Sequence, residues 1–184
     1  MTVEQLGMII PDGAAFRFLV QMLSPDEAVK CIVVGASFID SQLDQLFANA
    51  LIEGETATRL LGFRGMLDEL MNKADLAYCL GFITKTCYSN IKLIAEIRNK
   101  AAHDFRHSTF LTDLISTKCE QLKLPAGRLA AVLDSLWPVD MPFLPDNPGH
   151  KYRKVALAVF IDLAALTKTQ TRAERLTGER DLWR

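Results

Sequence analysis

The chain has 184 residues, of which 49% are hydrophobic and 23% charged, and its net charge is −1. That is enough chain for one domain with a sizeable core and an ordinary globular composition. The charge balance gives no electrostatic reason to expect a nucleic-acid binder, and no apolar run approaches the ~20 residues that span a bilayer.

The N-terminus does not read as a signal peptide, because Glu4 comes early and Pro11 and Asp12 interrupt the apolar residues. The expected location is the cytoplasm. Cys31, Cys79, Cys87 and Cys119 lie singly in apolar, helix-like runs and read as reduced core residues, with disulfide bonding the weaker alternative.

In chain order, residues 14–23 read as a short apolar helix. In "SPDEAVK", Ser24 can cap, Pro25 suits a first helical position and Glu27 sits where a capping-box acid reaches back. Apolar residues then recur at Ile32, Val33, Ala36, Ile39, Leu43, Leu46, Phe47, Ala50 and Leu51, a helical stripe bounded by Gly54. Asp40 and Asp44 read as its polar face. A helical turn is expected over 56–61, then a tight loop at "GFRG", which lacks the G-K-[ST] of a phosphate cradle.

Asp68 to Leu80 reads as the next helix, stopped by Gly81, and Thr84 can cap another from Lys85 to Ala102. Ile91, Ile94, Ala95, Arg98 and Ala102 share one face of that helix, with Ile97 beside them. Two further helices are expected over 112–122 and 126–137. "WPVDMPFLPDNPG" carries four prolines and reads as a long connection packed by Trp137, Phe143 and Leu144. Lys151 to Lys168 is the last helix, apolar almost all round, and suits a bundle centre or a subunit interface.

The expected fold is all-α: a single-domain helical bundle over 1–170, with a long Pro-rich connection before the last helix. Residues 171–184 form a basic C-terminal tail. Lys151, Arg153, Lys154, Lys168, Arg172, Arg175, Arg180 and Arg184 make the C-terminal part locally positive, read as a solvated last helix and frayed end. The core is expected from residues 28–51, 67–80, 85–101 and 155–166. The near-uniform apolar character of the last helix leads to the expectation of a homodimer.

"IRNKAAHD" is the one stretch that invites a chemical reading. Asn99 and His103 are four apart and share a helix face, so the amide can orient the imidazole; Arg98 and His103 are five apart and do not. An arginine beside a histidine suits RNA cleavage, the cation stabilising phosphorane-like charge while the imidazole moves a proton. The alternative pairs Arg98 with Glu96 or Asp75 and uses His103 and Asp104 to satisfy a helix end. That structural reading is preferred, with no catalytic residue assigned. His103 and His107 could share a metal, but no third strong ligand is evident, and neither metal nor cofactor is expected.

"ADLAYCLGFITKTCYSNI" partly fits a helix-turn-helix through Ala77, Gly81 and Cys87. Asn90 stands where a buried apolar residue is expected, and Lys85 and Ser89 make a poor base-reading turn. Direct sequence-specific DNA binding is not expected.

From Gly62 to Asp104 the chain resembles the mannitol operon repressor family. The shared features are Gly62, Gly65 and Leu67 of the loop, Lys73, then Ala77, Tyr78, Leu80, Gly81 and Ile83. Tyr88 and the run ending at His103 and Asp104 complete them. "GASFIDSQLDQLF" is similar to the family's long helical segment, so the resemblance covers roughly residues 15–105. It implies an all-helical bacterial protein linked to repression of a sugar-alcohol uptake operon, with a final apolar helix. Such proteins are not known for a clear DNA-reading motif, so repression would pass through a protein partner.

Arg98, Asn99 and His103 also match the signature of HEPN domains. These helical bundles include metal-independent endoribonucleases and toxin–antitoxin components, in which two copies face each other to build the site. The expected function is a non-enzymatic regulator acting through protein contacts, with the RNase as the alternative.

Overall fold

The computed structural model describes residues 22–24, 27–136 and 143–169. Among these residues there are seven helices and no strand. They are α1 (Ala28–Ala50), α2 (Glu55–Leu61), α3 (Leu70–Cys79), α4 (Lys85–His103), α5 (Asp113–Gln121), α6 (Gly127–Leu136) and α7 (Pro148–Thr169). The expected all-α bundle is the one observed. The basic tail 171–184, Trp137 and most of the helix expected over 14–23 lie outside the described residues.

α7 is the axis of the bundle. It packs most extensively on α1 and also touches α4, α5 and α6. From Tyr152 to Ile161 every residue is buried, which is what a helix apolar on all sides requires. The chain itself covers the surface from which self-association was expected, so α7 supplies no argument for a dimer. Gly35 of α1 lets the two helices approach: a Cβ there would stand 3.2 Å from the Tyr152 hydroxyl and 3.3 Å from Leu23 Cδ2. Through that gap the Tyr152 hydroxyl donates to the Ile32 carbonyl at 2.8 Å. Phe38 and Phe160 meet edge to face beside it.

The stripe on α1 is buried from Ile32 to Ala50 as read, although Val33 faces outward. α1 runs from Ala28, Pro25 lies outside the described residues, and Glu27 pairs with Lys30 at 3.0 Å without capping the helix end. α4 starts where Thr84 predicts, its Oγ1 accepting from the Cys87 amide. α3 ends in a Schellman turn: the Phe82 amide reaches the Ala77 carbonyl, the Gly81 amide reaches Tyr78, and Gly81 sits at φ +72°.

α7 starts three residues before the expected Lys151. Asn147 caps it, its Oδ1 accepting from Gly149 and His150, and Pro148 occupies the first helical position. Of the residues expected to pack the connection, Phe143 stacks on His150, while Leu144 is exposed.

The locally positive start of α7 is not a solvated face. Arg153 and Lys154 are buried, Lys154 pairing with Asp134 and lying over the Phe143 ring. Burial lowers the Arg153 pKa from its ordinary value.

The α2 corner contrasts with this interior. No residue of α2 is buried. The loop after it carries Phe63 and Met66 at 85% and 73% exposure.

Candidate functional site

Arg98 and Asn99 line a cleft of about 340 Å³ with Asp40 of α1 and Asp68, Glu69, Leu70 and Met71 at the start of α3. Asp40 arrives there because α1 turns its charged stripe away from α7 and toward α3. Asp68 is held by the preceding loop, its Oδ2 accepting from the Arg64 amide at 3.0 Å. The cleft therefore presents one guanidinium among three carboxylates.

His103 does not join this group. It is exposed at the last position of α4 and, among the described residues, makes no hydrogen bond to Asn99, which is also exposed. The expected polar pin at the end of α4 is absent: the helix runs on to His103, and while Ala101 of its last turn is buried in the core, Ala102 and His103 face outward. His107 pairs instead with Asp104, Nδ1 to Oδ1 at 2.9 Å, in the exposed turn that follows. The two acids expected for Arg98 have other partners: Glu96 binds Lys118 of α5, and Asp75 accepts from the Tyr88 hydroxyl at 2.8 Å. Among the described residues no cluster of side chains has metal-ligand geometry.

Beneath the cleft lies a group that the sequence reading understated. Lys73 of α3 is buried, with Nζ 2.8 Å from Asp40 Oδ1 and 2.6 Å from Asp44 Oδ1. Asp40 and Asp44 are one helical turn apart, so one ammonium is clamped by both. They are thus not merely a polar face. Burial pulls the Lys73 pKa down, but hydrogen bonds to Asp40 and Asp44 outweigh it and leave the pKa raised. The i, i+4 spacing of the acids was the available signal; nothing local showed that a lysine 33 residues beyond Asp40 would meet them.

The segment tested as a helix-turn-helix has a different role. α4 is interior: Cys87, Asn90, Ile91, Ile94, Ala95, Ile97 and Ala101 are buried, and the helix packs on α1, α3, α5 and α7. Asn90 is buried for a reason. Its amide donates to the Lys123 carbonyl at 3.0 Å and accepts from the Lys123 amide at 2.9 Å, tying α4 to the α5–α6 connection.

Cys31, Cys87 and Cys119 are buried free thiols, each pushed up to about 12 by burial. Cys79 is exposed, unlike the core position expected for it, and is also a free thiol.

These features define a helical protein with a charged cleft that mixes an arginine with acids, and whose best helix-turn-helix match is built into the core. A family model described as mannitol repressor matches residues 20–134. The match covers well over half of the chain, which belongs to the mannitol repressor family. It runs past the 105 expected from the sequence motifs and takes in α5 and most of α6. No curated protein and no solved structure gives a significant match. Among the described residues no helix is long and apolar enough to cross a membrane.

Proposed function

We propose that this chain is a cytoplasmic, non-enzymatic regulator of the mannitol repressor type, acting through protein contacts rather than by reading DNA. The observation that carries this reading is the placement of α4. A recognition helix must offer its first two turns to the major groove. Here the exposed side chains of those turns are only Lys85 and Thr86, while Asn90, the side chain best suited to read a base, is buried and bonded to the Lys123 backbone. The purified protein alone should give no competitor-resistant shift of operator-length DNA at physiological salt, while tagged protein should retain a defined partner from its native host. A sequence-selective gel shift by the protein alone would overturn the reading.

One observation favours a HEPN-like endoribonuclease as the second reading. Asn99 and His103 are exposed and Arg98 borders an open cleft, as a site completed by a second copy requires. Against it, a phosphate approaching Arg98 meets Asp40, Asp68 and Glu69. Metal-free cleavage of single-stranded RNA by wild type, lost in both Arg98→Ala and His103→Ala, would establish this alternative.

A further inference from the structure

We propose that residues 51–66 form a self-complementary docking surface for a second copy of this chain. Phe63 and Arg64 of each protomer would enter the hollow beside α2 of the other.

The α2 corner carries both halves of such a contact. The hollow, about 450 Å³, is floored by Leu51, Ile52, Ala57 and Leu60, and Glu55 stands on its rim. The projection is the loop after α2, where Phe63 and Met66 are, among the described residues, the most exposed large apolar side chains apart from Leu111. Arg64 lies over the Phe63 ring, with its guanidinium 5.2 Å from the centroid. An apolar ring bearing a cation thus matches an apolar hollow bearing an anion. A surface that holds both knob and hole on one corner meets a copy of itself through a two-fold axis, each protomer giving and receiving once.

The loop is also rigid. The Gly65 amide binds the Gly62 carbonyl at 2.7 Å, and the Leu67 amide reaches back to Leu60 at 2.9 Å. Asn72 holds the Met66 carbonyl. A Cβ at Gly65 would lie 2.4 Å from the carbonyl oxygens of Arg59 and Leu60, so only glycine permits the turn. Arg64 is held at φ +61°, the one left-handed backbone outside glycine among the described residues. An unfavourable conformation, held by these hydrogen bonds and used to project an exposed phenylalanine, pre-organises that side chain for a partner. α2 supplies the remaining argument. Seven residues are too few to hold a helix unaided, and within the chain only its inner side is covered: Ala57, Leu60 and Leu61 are half-buried, Leu61 against the core, and no residue of α2 is fully buried.

The surface is independent of whether the chain works through another protein or as an RNase. Its test is sedimentation velocity at micromolar concentration on the full chain, with circular dichroism to confirm that each variant is folded. Wild type should be a dimer. Phe63→Ala and Arg64→Glu should each weaken association about tenfold or more at unchanged helicity. The double variant Glu55→Arg/Arg64→Glu, which swaps the charges, should recover the dimer. A monomeric wild type would overturn the proposal and leave the corner to another segment or another protein. A dimer indifferent to all three variants, or a double variant no better than Arg64→Glu alone, would overturn it equally.

Discussion

The seat of α7 and the α2 corner treat an aromatic side chain in opposite ways. Tyr152 is enclosed by α1, α7 and Phe110, and its hydroxyl is bonded to the Ile32 backbone. Phe63 has a comparable ring and stands in water on a tightly bonded loop. The interior spends its geometry on filling space; the corner spends backbone strain on keeping a ring outside. A side chain's chemistry therefore does not say whether it stabilises the fold, whereas its surroundings do.

Truncation breaks the contrast most directly. Tyr152→Ala should cost about 3–5 kcal/mol in chemical denaturation, through the lost packing and the cavity left behind. Phe63→Ala, measured on monomer at high dilution, should stay within about 0.5 kcal/mol. Equal losses would mean that the corner is part of the core.

Lys73 gives the next largest effect. Lys73→Ala should cost about 2–3 kcal/mol, less than a sealed ion pair because Asp40 and Asp44 remain partly open to water. Lys73→Met, which keeps the packing, should recover about half of that loss. Since the Lys73 pKa is raised on folding, the wild-type advantage over Lys73→Met is present at neutral pH. It is lost only as pH climbs beyond the ordinary lysine value of about 10.4. Unfolding midpoints against pH for both proteins check this.

Asp162 should show the opposite sign. Burial raises its pKa, and the bond to Cys87 only partly offsets that. A carboxyl so shifted costs stability once both states have ionised. Asp162→Asn should therefore be more stable than wild type at neutral pH. The gain should vanish in acid, below the ordinary aspartate value of about 3.9. A midpoint difference unchanged between neutral and acid conditions would remove Asp162 as its source.

A small gain is expected at the corner. Arg64→Gly relieves a left-handed backbone at a cost of about 1–2 kcal/mol to a non-glycine residue, against about 0.5–1 kcal/mol of added chain entropy. The net gain should be about 0.5–1 kcal/mol in the melting of dilute protein. A loss would show that the arginine side chain itself steadies the loop.

The helices were legible wherever their signals were local. Thr84 at the start of α4 and Gly81 at the end of α3 act within a few residues, and both work as read. The apolar stripe of α1 and the greasy circumference of α7 likewise follow from periodicity. The start of α7 was missed because its prolines were read together as a barrier, although Asn147 and Pro148 form an ordinary cap and first position. The site was less legible. Arg98 and His103 could be separated by spacing alone, but the cleft around Arg98 gathers Asp40, Asp68 and Glu69 from distant parts of the chain. The outward direction of His103 depends on which face of α4 the other helices cover. That is a property of the assembled bundle, with no local mark.

Asn90 also bears on motion. Lys123 lies in the connection between α5 and α6, where amide protons ordinarily exchange with solvent quickly. The Asn90 side chain takes both its N–H and its C=O, as a neighbouring strand would. To free that amide, the connection must let go of α4, and α4 is buried against four other helices. In hydrogen exchange, Lys123 should therefore keep time with the slow interior of the bundle while the residues around it turn over freely.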